Sequence, residues 1–416
     1  MSDMSSMSRE RRKRQLRRQI VSSPAQSSGD EENARDGRRG HKRRRLLFFF
    51  AFLALAAAGV GAWFYYQRSY RYTDYEISWQ IEMNEGSLVG YEAFGSNVLK
   101  CTKDGASYID NRGKNVWTES YEMKTPIVSV QGDYAAIADK QGNTIYICNV
   151  EGRQGVATTV LPISKVAVSG TGVVAAVLED ASASYISFFK KDGSPLDITV
   201  KTKMGGDGYP LDIALSEDGT QLMCSFAYIE NGELKNRVVF YDFSEVGKNV
   251  PNRLVGGFDE PFHGTMTPRV TYMGEPYSCA FSGNGPVFFS SKNLASPELV
   301  KQAAVEEEIR SVLHSDEYAA VIVRNVTGEF ANRLEVYKKD GTPALSKEFN
   351  YEYTNADIDG DLIILYNENS CRIFNTAGTE KLNTTFDFAV SKIRRGRFPH
   401  TLLVTGPRQM CEIRLR

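Results

Sequence analysis

Hydrophobic residues are distributed along this chain in two different ways. An unbroken apolar run of 21 residues without a charged side chain begins at Leu46 and ends at Tyr66. At about 1.5 Å per residue, a helix of that length spans roughly 30 Å, the thickness of the hydrocarbon core of a bilayer. From about Asp74 to Arg416, apolar residues occur instead in short runs separated by turn-forming residues. The pattern predicts one transmembrane helix at 46–66 followed by an all-β region.

Turns recur through the β region at a regular spacing. A polar turn precedes an apolar strand near positions 95, 132, 170, 219, 274, 316, 360 and 396, at intervals of 36–55 residues. A second turn follows a later strand in five of these units and contains Gly113, Gly152, Gly193, Gly341 or Gly378. Two turns in fixed order indicate a four-stranded unit repeated about eight times.

Burial explains why such units would pack in a ring. One four-stranded sheet has two faces and cannot form a core alone, but radial packing covers both faces and protects the edges. Residues 84–416 divided among eight units give about 42 residues each, which is typical of a propeller blade. We therefore predict a β-propeller of about eight four-stranded blades at 67–416. Seven blades with two irregular flanking strands, or a different all-β stack, are the alternatives.

The last unit ends one strand short. After the turn at Gly396 only two apolar strands remain before the chain ends. Residues 75–81, which precede the first unit, are expected to supply the missing fourth strand and close the ring without an exposed edge.

Charge predicts the orientation in the membrane. Residues 1–45 contain 14 basic and six acidic side chains, a net charge of +8, whereas the rest of the chain carries −9. Basic residues next to a transmembrane helix favour the cytoplasmic side, so we expect a cytoplasmic N-terminus and an extracytoplasmic propeller in the cell membrane. A cleaved signal peptide, with a site near Ala56, is the alternative, although the apolar run exceeds the usual h-region of about 7–15 residues.

The basic arm at 1–45 has a composition typical of disorder, because it offers few apolar residues to bury. Its arginines are expected to set the topology and to attract anionic lipids. No aromatic residues lie among the arginines, so base stacking has no support and no nucleic-acid partner is expected.

Two turns resemble those of known propellers. The segment from Asp110 to Trp117 looks like the D-x-x-G-x-x-x-W turn of quinoprotein-type propellers, and Ser216 to Thr220 is similar to the turn of WD-type and Tol-type blades. The layout of basic arm, single anchor and external propeller also resembles a bacterial family known only as a domain of unknown function. The resemblance implies a fold and leaves the function open.

Motifs for catalysis or cofactor binding are not found. Only Trp117 fits the tryptophan turn, and the sequence has no adjacent cysteine pair, so we expect no quinone cofactor. The four histidines lack a second histidine or cysteine at ligand spacing, and we expect no metal site. Asp357, Asp359 and Asp361 alternate in a way that could suit Ca²⁺, but a blade turn already explains them.

The cysteines and one irregular segment lead to two further predictions. The six cysteines fall in separate predicted blades among apolar neighbours, which predicts buried free thiols rather than disulfides. Residues 247–269 form the least regular stretch, expected as a long connection between blades 4 and 5. Arg253, Phe258 and His263 are the residues there to test first, although we assign no site to them.

The function expected from these features is binding rather than catalysis. We expect a membrane-tethered extracytoplasmic scaffold for a protein or a cell-envelope polymer. A carbohydrate-active hydrolase, with carboxylates in the central channel, is the alternative. A sensor that signals through the arm is a third hypothesis, which the short arm disfavours.

Overall fold

The structure, a computed structural model, describes residues 14, 49–66, 68–83, 88–203, 205–326 and 328–416. The chain divides into two compact units between Ser69 and Tyr70. The first contains helix α1 (Phe49–Tyr66), whose 18 residues are apolar and long enough to cross a membrane. Residues 46–48 of the predicted helix, and the predicted arm at 1–45 apart from Arg14, lie outside the described residues.

The second unit, Tyr70–Arg416, consists of eight antiparallel four-stranded sheets. The first strand in the chain is β1 (Tyr75–Glu82). Blade 1 comprises β2 (Leu88–Phe94), β3 (Asn97–Thr102), β4 (Gly105–Ile109) and β5 (Asn115–Ser120), and blade 2 comprises β6 (Pro126–Gln131), β7 (Tyr134–Asp139), β8 (Thr144–Asn149) and β9 (Gly152–Thr158). Blade 3 comprises β10 (Ile163–Val168), β11 (Val174–Glu179), β12 (Ser184–Phe189) and β13 (Pro195–Thr202), and blade 4 comprises β14 (Tyr209–Leu215), β15 (Gln221–Glu230), β16 (Glu233–Asp242) and β17 (Leu254–Phe258).

Blades 5 to 8 follow the same order. Blade 5 comprises β18 (Arg269–Tyr272), β19 (Tyr277–Ser282), β20 (Gly285–Ser290) and β21 (Glu298–Gln302), and blade 6 comprises β22 (Ile309–His314), β23 (Tyr318–Arg324), β24 (Asn332–Lys338) and β25 (Pro343–Phe349). Blade 7 comprises β26 (Asn355–Asp359), β27 (Leu362–Tyr366), β28 (Ser370–Asn375) and β29 (Glu380–Thr385), and blade 8 comprises β30 (Lys392–Arg395), β31 (Thr401–Thr405) and β32 (Gln409–Leu415) together with β1. Three 3₁₀ helices, Gly247–Asn249, Pro251–Arg253 and Glu260–Phe262, flank β17.

The predicted eight-bladed ring and its closure are confirmed. Strand β1 pairs with β32 from Tyr75 opposite Leu415 to Glu82 opposite Gln409, so it is the fourth strand of blade 8. The first strands of consecutive blades, such as β14 and β18, contact one another and line the central channel. Each of the eight predicted turns near positions 95 to 396 joins the first and second strands of one blade.

The core is divided among the junctions between blades. Eight apolar clusters lie in the described part of the propeller, each made by two neighbouring blades. Along β7, Ala135 and Ile137 pack on blade 1, while Ala136 and Ala138 pack on blade 3. Because successive side chains point to opposite faces, a strand buried on both sides reads as a continuous apolar run.

Three of the second-turn glycines are required by these junctions. Gly113, Gly193 and Gly341 have φ of 77°, 83° and 78°, which glycine adopts without strain. Each also lies against the fourth strand of the preceding blade, where an added Cβ would come within 2.2–2.6 Å of another atom. For Gly113 that neighbour is Ile81, so β1 fills the same position as the outer strand of any other blade.

The two ends of the ring differ in their connections. We call the end that carries the links between blades, and the hairpins joining second to third strands, the upper face. The lower face carries the hairpins joining first to second and third to fourth strands. The chain enters the propeller at the lower face, where Asp74 and Arg416 exchange backbone hydrogen bonds of 3.2 and 2.9 Å.

Candidate functional site

Charged side chains from the first strands converge in the central channel. Between blades 3 and 4, Lys165 Nζ lies 3.2 Å from one carboxylate oxygen of Asp212. The other oxygen accepts a hydrogen bond of 2.9 Å from the backbone N–H of Val270 in blade 5. Asp212 therefore joins three blades, which gives this part of the channel a structural role.

A second group contains the two carboxylates on which the hydrolase alternative depends. Asp357 accepts hydrogen bonds from Lys392 Nζ and from the Tyr366 hydroxyl, each at 2.9 Å. Glu92 makes no ion pair within 4 Å with any described residue. Burial raises the pKa of Glu92, the charge of Lys392 opposes that rise, and the charge of Asp357 adds to it. Two carboxyl groups with different environments thus share the channel.

His314 lines a channel cavity together with Asp357 and is held in its neutral form. Its Nδ1 is 3.3 Å from the Thr271 hydroxyl, and its Nε2 is 3.5 Å from the Arg269 guanidinium. Burial, followed by the charge of Arg269, lowers the pKa of His314 to about 4. Since arginine can only donate, Nε2 is the acceptor and the ring proton is on Nδ1.

A large cavity opens on the upper face between blades 6 and 7. It has a volume of about 950 Å³ and is lined by Arg310, Ser311, Ala331, Asn332, Asn350, Tyr351, Glu352, Tyr353, Thr354 and Asn367. A second cavity of about 330 Å³ lies between blades 5 and 6 and is mostly apolar, with Met266, Pro268 and Phe281 in its lining. Arg310 and Ser311 border both, so the two cavities form one surface, which we call the upper cleft.

The polar groups of the upper cleft are held in place by one another. The Tyr353 hydroxyl is 3.0 Å from that of Ser311, and the Tyr351 hydroxyl is 2.9 Å from that of Ser370. The Arg310 guanidinium donates a hydrogen bond of 3.0 Å to the side-chain Oδ1 of Asn332. A ligand would therefore meet fixed aromatic and amide groups, which lowers the entropy lost on binding.

Residues 247–269 differ from the prediction. The stretch is not a connection between blades, because β17 occupies Leu254–Phe258 and pairs with β16. Its glycines and prolines gave the misleading loop signal: Gly256 and Gly257 lie in the strand, and Pro251 begins a 3₁₀ helix.

The three residues singled out in that stretch do not form a site. Arg253 lies at the lower face, His263 is exposed at the upper face, and Phe258 packs between blades, 4.8 Å from Phe289. They are separated because a whole strand lies between the first and the last.

The three alternating aspartates each face a cation of blade 8. Asp357 pairs with Lys392 at 2.9 Å, and Asp359 lies 3.8 Å from Arg394. Asp361 contacts Arg395. Among the described residues, no group of three or more His, Cys, Asp or Glu side chains is arranged to hold a metal ion. The blade-turn explanation holds for Asp361, which lies between β26 and β27, whereas Asp357 and Asp359 belong to β26 and pair with the neighbouring blade.

Two other sequence features have structural explanations. Trp117 packs on Tyr108 and Phe94, and its indole N–H donates to the Val150 carbonyl at 3.2 Å, joining blades 1 and 2. All six cysteines are buried and free, as predicted.

Sequence reasoning missed Glu92, Arg269 and His314 in the channel, and it missed the upper cleft entirely. The channel had a usable signal, because a charged residue within the apolar first strand of a repeat points to the axis. The cleft had none, since its lining comes from six separate segments of the chain.

The fold defines the class of this protein: an eight-bladed β-propeller that follows an apolar helix. The chain belongs to a family of unknown function, DUF5711, whose sequence model matches residues 67–415. No curated protein matches it.

Solved structures share the fold at low identity. BamB from Moraxella catarrhalis is 13% identical, with a TM-score of 0.52 over 82% of this chain and 98% of that one. Chaetomium thermophilum Sqt1, bound to the N-terminus of the ribosomal protein L10, is 10% identical, with a TM-score of 0.54 over 82% and 99%. The Dos1 propeller is 12% identical, with a TM-score of 0.52 over 82% and 95%. Such likeness shows the fold alone.

Proposed function

We propose that the protein is a binding module, anchored in the cell membrane by the helix at 46–66, whose propeller engages a protein partner outside the cytoplasm through the upper cleft. The observation that supports this most is the continuity of the cleft. A polar, tyrosine-containing part of about 950 Å³ adjoins an apolar part of about 330 Å³. Arginine lies where the two parts meet, and tyrosine, arginine and methionine are the residues enriched in protein interfaces.

The channel supports binding less well. Its cations and carboxylates are largely paired with one another, as in Lys165 with Asp212 and Lys392 with Asp357. Because these pairs join neighbouring blades, the charged residues of the channel are explained by the stability that they give to the ring. The upper cleft is also braced by hydrogen bonds, such as that between Tyr353 and Ser311, but it leaves Glu352 and an apolar part open to a partner.

Membrane tethering rests on the helix and the charges. All of α1 is exposed, as expected of a segment that lipid would cover. The net charge of +8 at 1–45 supports a cytoplasmic N-terminus, and the −9 of the remainder disfavours nucleic acid as a partner. Sqt1, a propeller with a similar fold, was solved with a peptide segment bound, which suits a protein as the partner here.

A hydrolase remains the second candidate, supported by Glu92 and Asp357 in one channel. In that mechanism Glu92, whose pKa is raised by burial, would be the acid and Asp357 the second carboxyl group. Glu92→Gln should then abolish release of reducing sugar ends from cell-wall glycan by the full chain in detergent micelles. If the unaltered protein releases no reducing ends from the glycan, this candidate is contradicted.

Photo-crosslinking in native membranes tests the binding role. Phe330, at the rim of the upper cleft, and Phe398, at the lower face, are 38% and 51% exposed. Each is replaced in turn by a photoreactive phenylalanine in the full chain. We expect a discrete protein adduct from position 330, and none from the matched position 398.

A cleft-filling variant provides the second arm of the experiment. Glu352 is exposed in the cleft, so Glu352→Trp should fill it and weaken the adduct while the melting temperature stays unchanged. Adducts only at position 398, or adducts at position 330 that Glu352→Trp leaves intact, would contradict binding through the upper cleft.

A further inference from the structure

One hairpin of the propeller is longer than the others. β15 and β16 have 10 residues each, whereas the second and third strands of the other blades have five to seven. β14 pairs with β15 no further than Ala227, and β17 pairs with β16 no further than Val238. Residues 228–237 therefore extend beyond the rest of blade 4 at the upper face, and we call them the projecting hairpin.

The turn of the projecting hairpin is well defined. Asn231 and Gly232 both have positive φ, 54° and 82°, the combination of a two-residue type I′ turn. Next to the turn, Lys235 Nζ lies 2.6 Å from the Glu230 carboxylate. The tip is thus a preformed two-stranded ribbon rather than a loop of irregular course.

The base of the projecting hairpin is braced against the propeller. The Arg237 guanidinium lies 4.4 Å from the centre of the Tyr228 ring and donates a hydrogen bond of 2.8 Å to the Gly206 carbonyl. The Tyr228 hydroxyl donates to the Asp259 carboxylate at 3.0 Å. These contacts fix the direction in which the hairpin projects.

The tip exposes apolar surface toward blade 5. Ile229 and Leu234 face each other across the ribbon and are 50% and 60% exposed. They lie on the same side of their strands as Met223 and Val238, which pack against blade 5. Above blade 5, Met266 is 39% exposed and lines the apolar part of the upper cleft. The hairpin therefore presents an apolar surface on the side of the cleft.

The outer edge of this ribbon offers backbone groups as well. β17 pairs with one edge of β16, but only from Val238 onward. Among the described residues, no strand pairs with that edge at 233–237. Outward N–H and C=O groups there can be satisfied by water or by another extended chain. Glycan and lipid supply no such periodic backbone, so the edge favours a polypeptide.

Building on the proposed function, we infer that the projecting hairpin receives an extended segment of the partner protein, which adds as a strand to the outer edge of β16. Side chains of that segment alternate, so every second one packs on the surface of Leu234 and Ile229. The partner then needs apolar residues at alternate positions in the docking segment.

A peptide library tests this with the full chain in lipid nanodiscs. The probe is a phage-displayed library of unstructured dodecapeptides, selected against the unaltered protein. Enriched peptides should carry apolar residues at alternate positions. Ile229→Ser combined with Leu234→Ser should weaken their binding about tenfold or more. Val156→Ser, at an apolar residue of β9 that is 39% exposed, is the matched control and should leave binding unchanged.

A shortened hairpin provides an independent variant. Removal of residues 229, 230, 233 and 234 keeps the pairing of Tyr228 with Lys235 and leaves the Asn231–Gly232 turn between them. The variant should fold with an unchanged melting temperature, because the deleted residues lie outside the core clusters, and should lose the peptides. Hydrogen exchange of the amides at 233–237 should slow about tenfold or more when a selected peptide binds.

The outcomes separate this inference from the proposed function. Peptides that bind the shortened variant equally well, slowed exchange confined to the upper cleft, or a selection without enrichment over empty nanodiscs would overturn strand addition. Crosslinking from position 330 would still support binding at the cleft in each case. Loss of that crosslinking pattern would overturn the proposed function itself.

Discussion

At the scale of single residues, the channel shows how burial decides the charge of a side chain. His314 lies among inner strands beside the cationic Arg269. Burial and the positive charge of Arg269 both lower its pKa and favour the neutral ring. Thr271 and Arg269 complete the arrangement, because one accepts from Nδ1 and the other donates to Nε2. The histidine therefore acts as a neutral hydrogen-bonding group that joins blades 5 and 6.

Acid should destabilise the propeller through His314. The unfolded chain binds a proton near pH 6.5, whereas folded His314 does so only near pH 4. The free energy of unfolding should therefore fall as pH decreases from about 6.5 to 4, by at most about 3 kcal/mol from this residue. Urea unfolding of the full chain in micelles at several pH values measures it. His314→Gln should have a shallower slope in this window, and equal slopes would contradict the assignment.

The six thiols should be unreactive in the folded protein. Burial raises the pKa of Cys148, Cys371 and Cys411 to about 12, so little thiolate forms near neutral pH. Mass spectrometry after iodoacetamide treatment should show six free cysteines, alkylated only once denaturant is added. Disulfide-linked peptides, such as Cys101 with Cys148, would contradict this.

At the scale of strands and turns, much of the fold could be predicted because each blade repeats the same local requirement. The first turn recurs between first and second strands, and three of the second turns need glycine where they meet the preceding outer strand. Gly113 and Gly341 carry that requirement in the sequence itself. Local geometry and one neighbouring contact explain the periodicity.

Ring closure by β1 can be tested by removing the strand. A chain that begins at Tyr70 keeps β1, whereas one that begins at Glu85 exposes the edge of β32 and the junction that Trp79 and Ile81 cover. The shorter chain should lose several kcal/mol, comparable to much of the roughly 5–15 kcal/mol that stabilises a domain, or should aggregate. Equal urea midpoints for the two chains would contradict closure.

Other features could not be read from the sequence. The segment at 247–269 contains a strand whose Gly256 and Gly257 suppress the usual β signal, because only pairing with β16 makes them extended. The upper cleft is formed by residues that are up to 101 positions apart, Met266 and Asn367. Such surfaces depend on the angle between blades, which no local pattern specifies.

At the scale of the whole molecule, the uneven charge is the feature that links structure to location. The near-neutral total of −1 combines +8 at 1–45 with −9 in the remainder, and the apolar run lies between them. In our proposal, this separation of charge favours a propeller outside the cytoplasm, so a partner of the upper cleft would be there as well.

The location of the propeller is tested most directly by labelling introduced cysteines. Since the native thiols are buried, Val160→Cys, at a residue that is 95% exposed, provides a single reactive thiol on the upper face. Ser28→Cys places one in the basic arm. A membrane-impermeant maleimide added to intact spheroplasts should label Val160→Cys at once, and Ser28→Cys only after permeabilisation. Labelling of Ser28→Cys alone in intact spheroplasts would contradict an extracytoplasmic propeller anchored by the helix at 46–66.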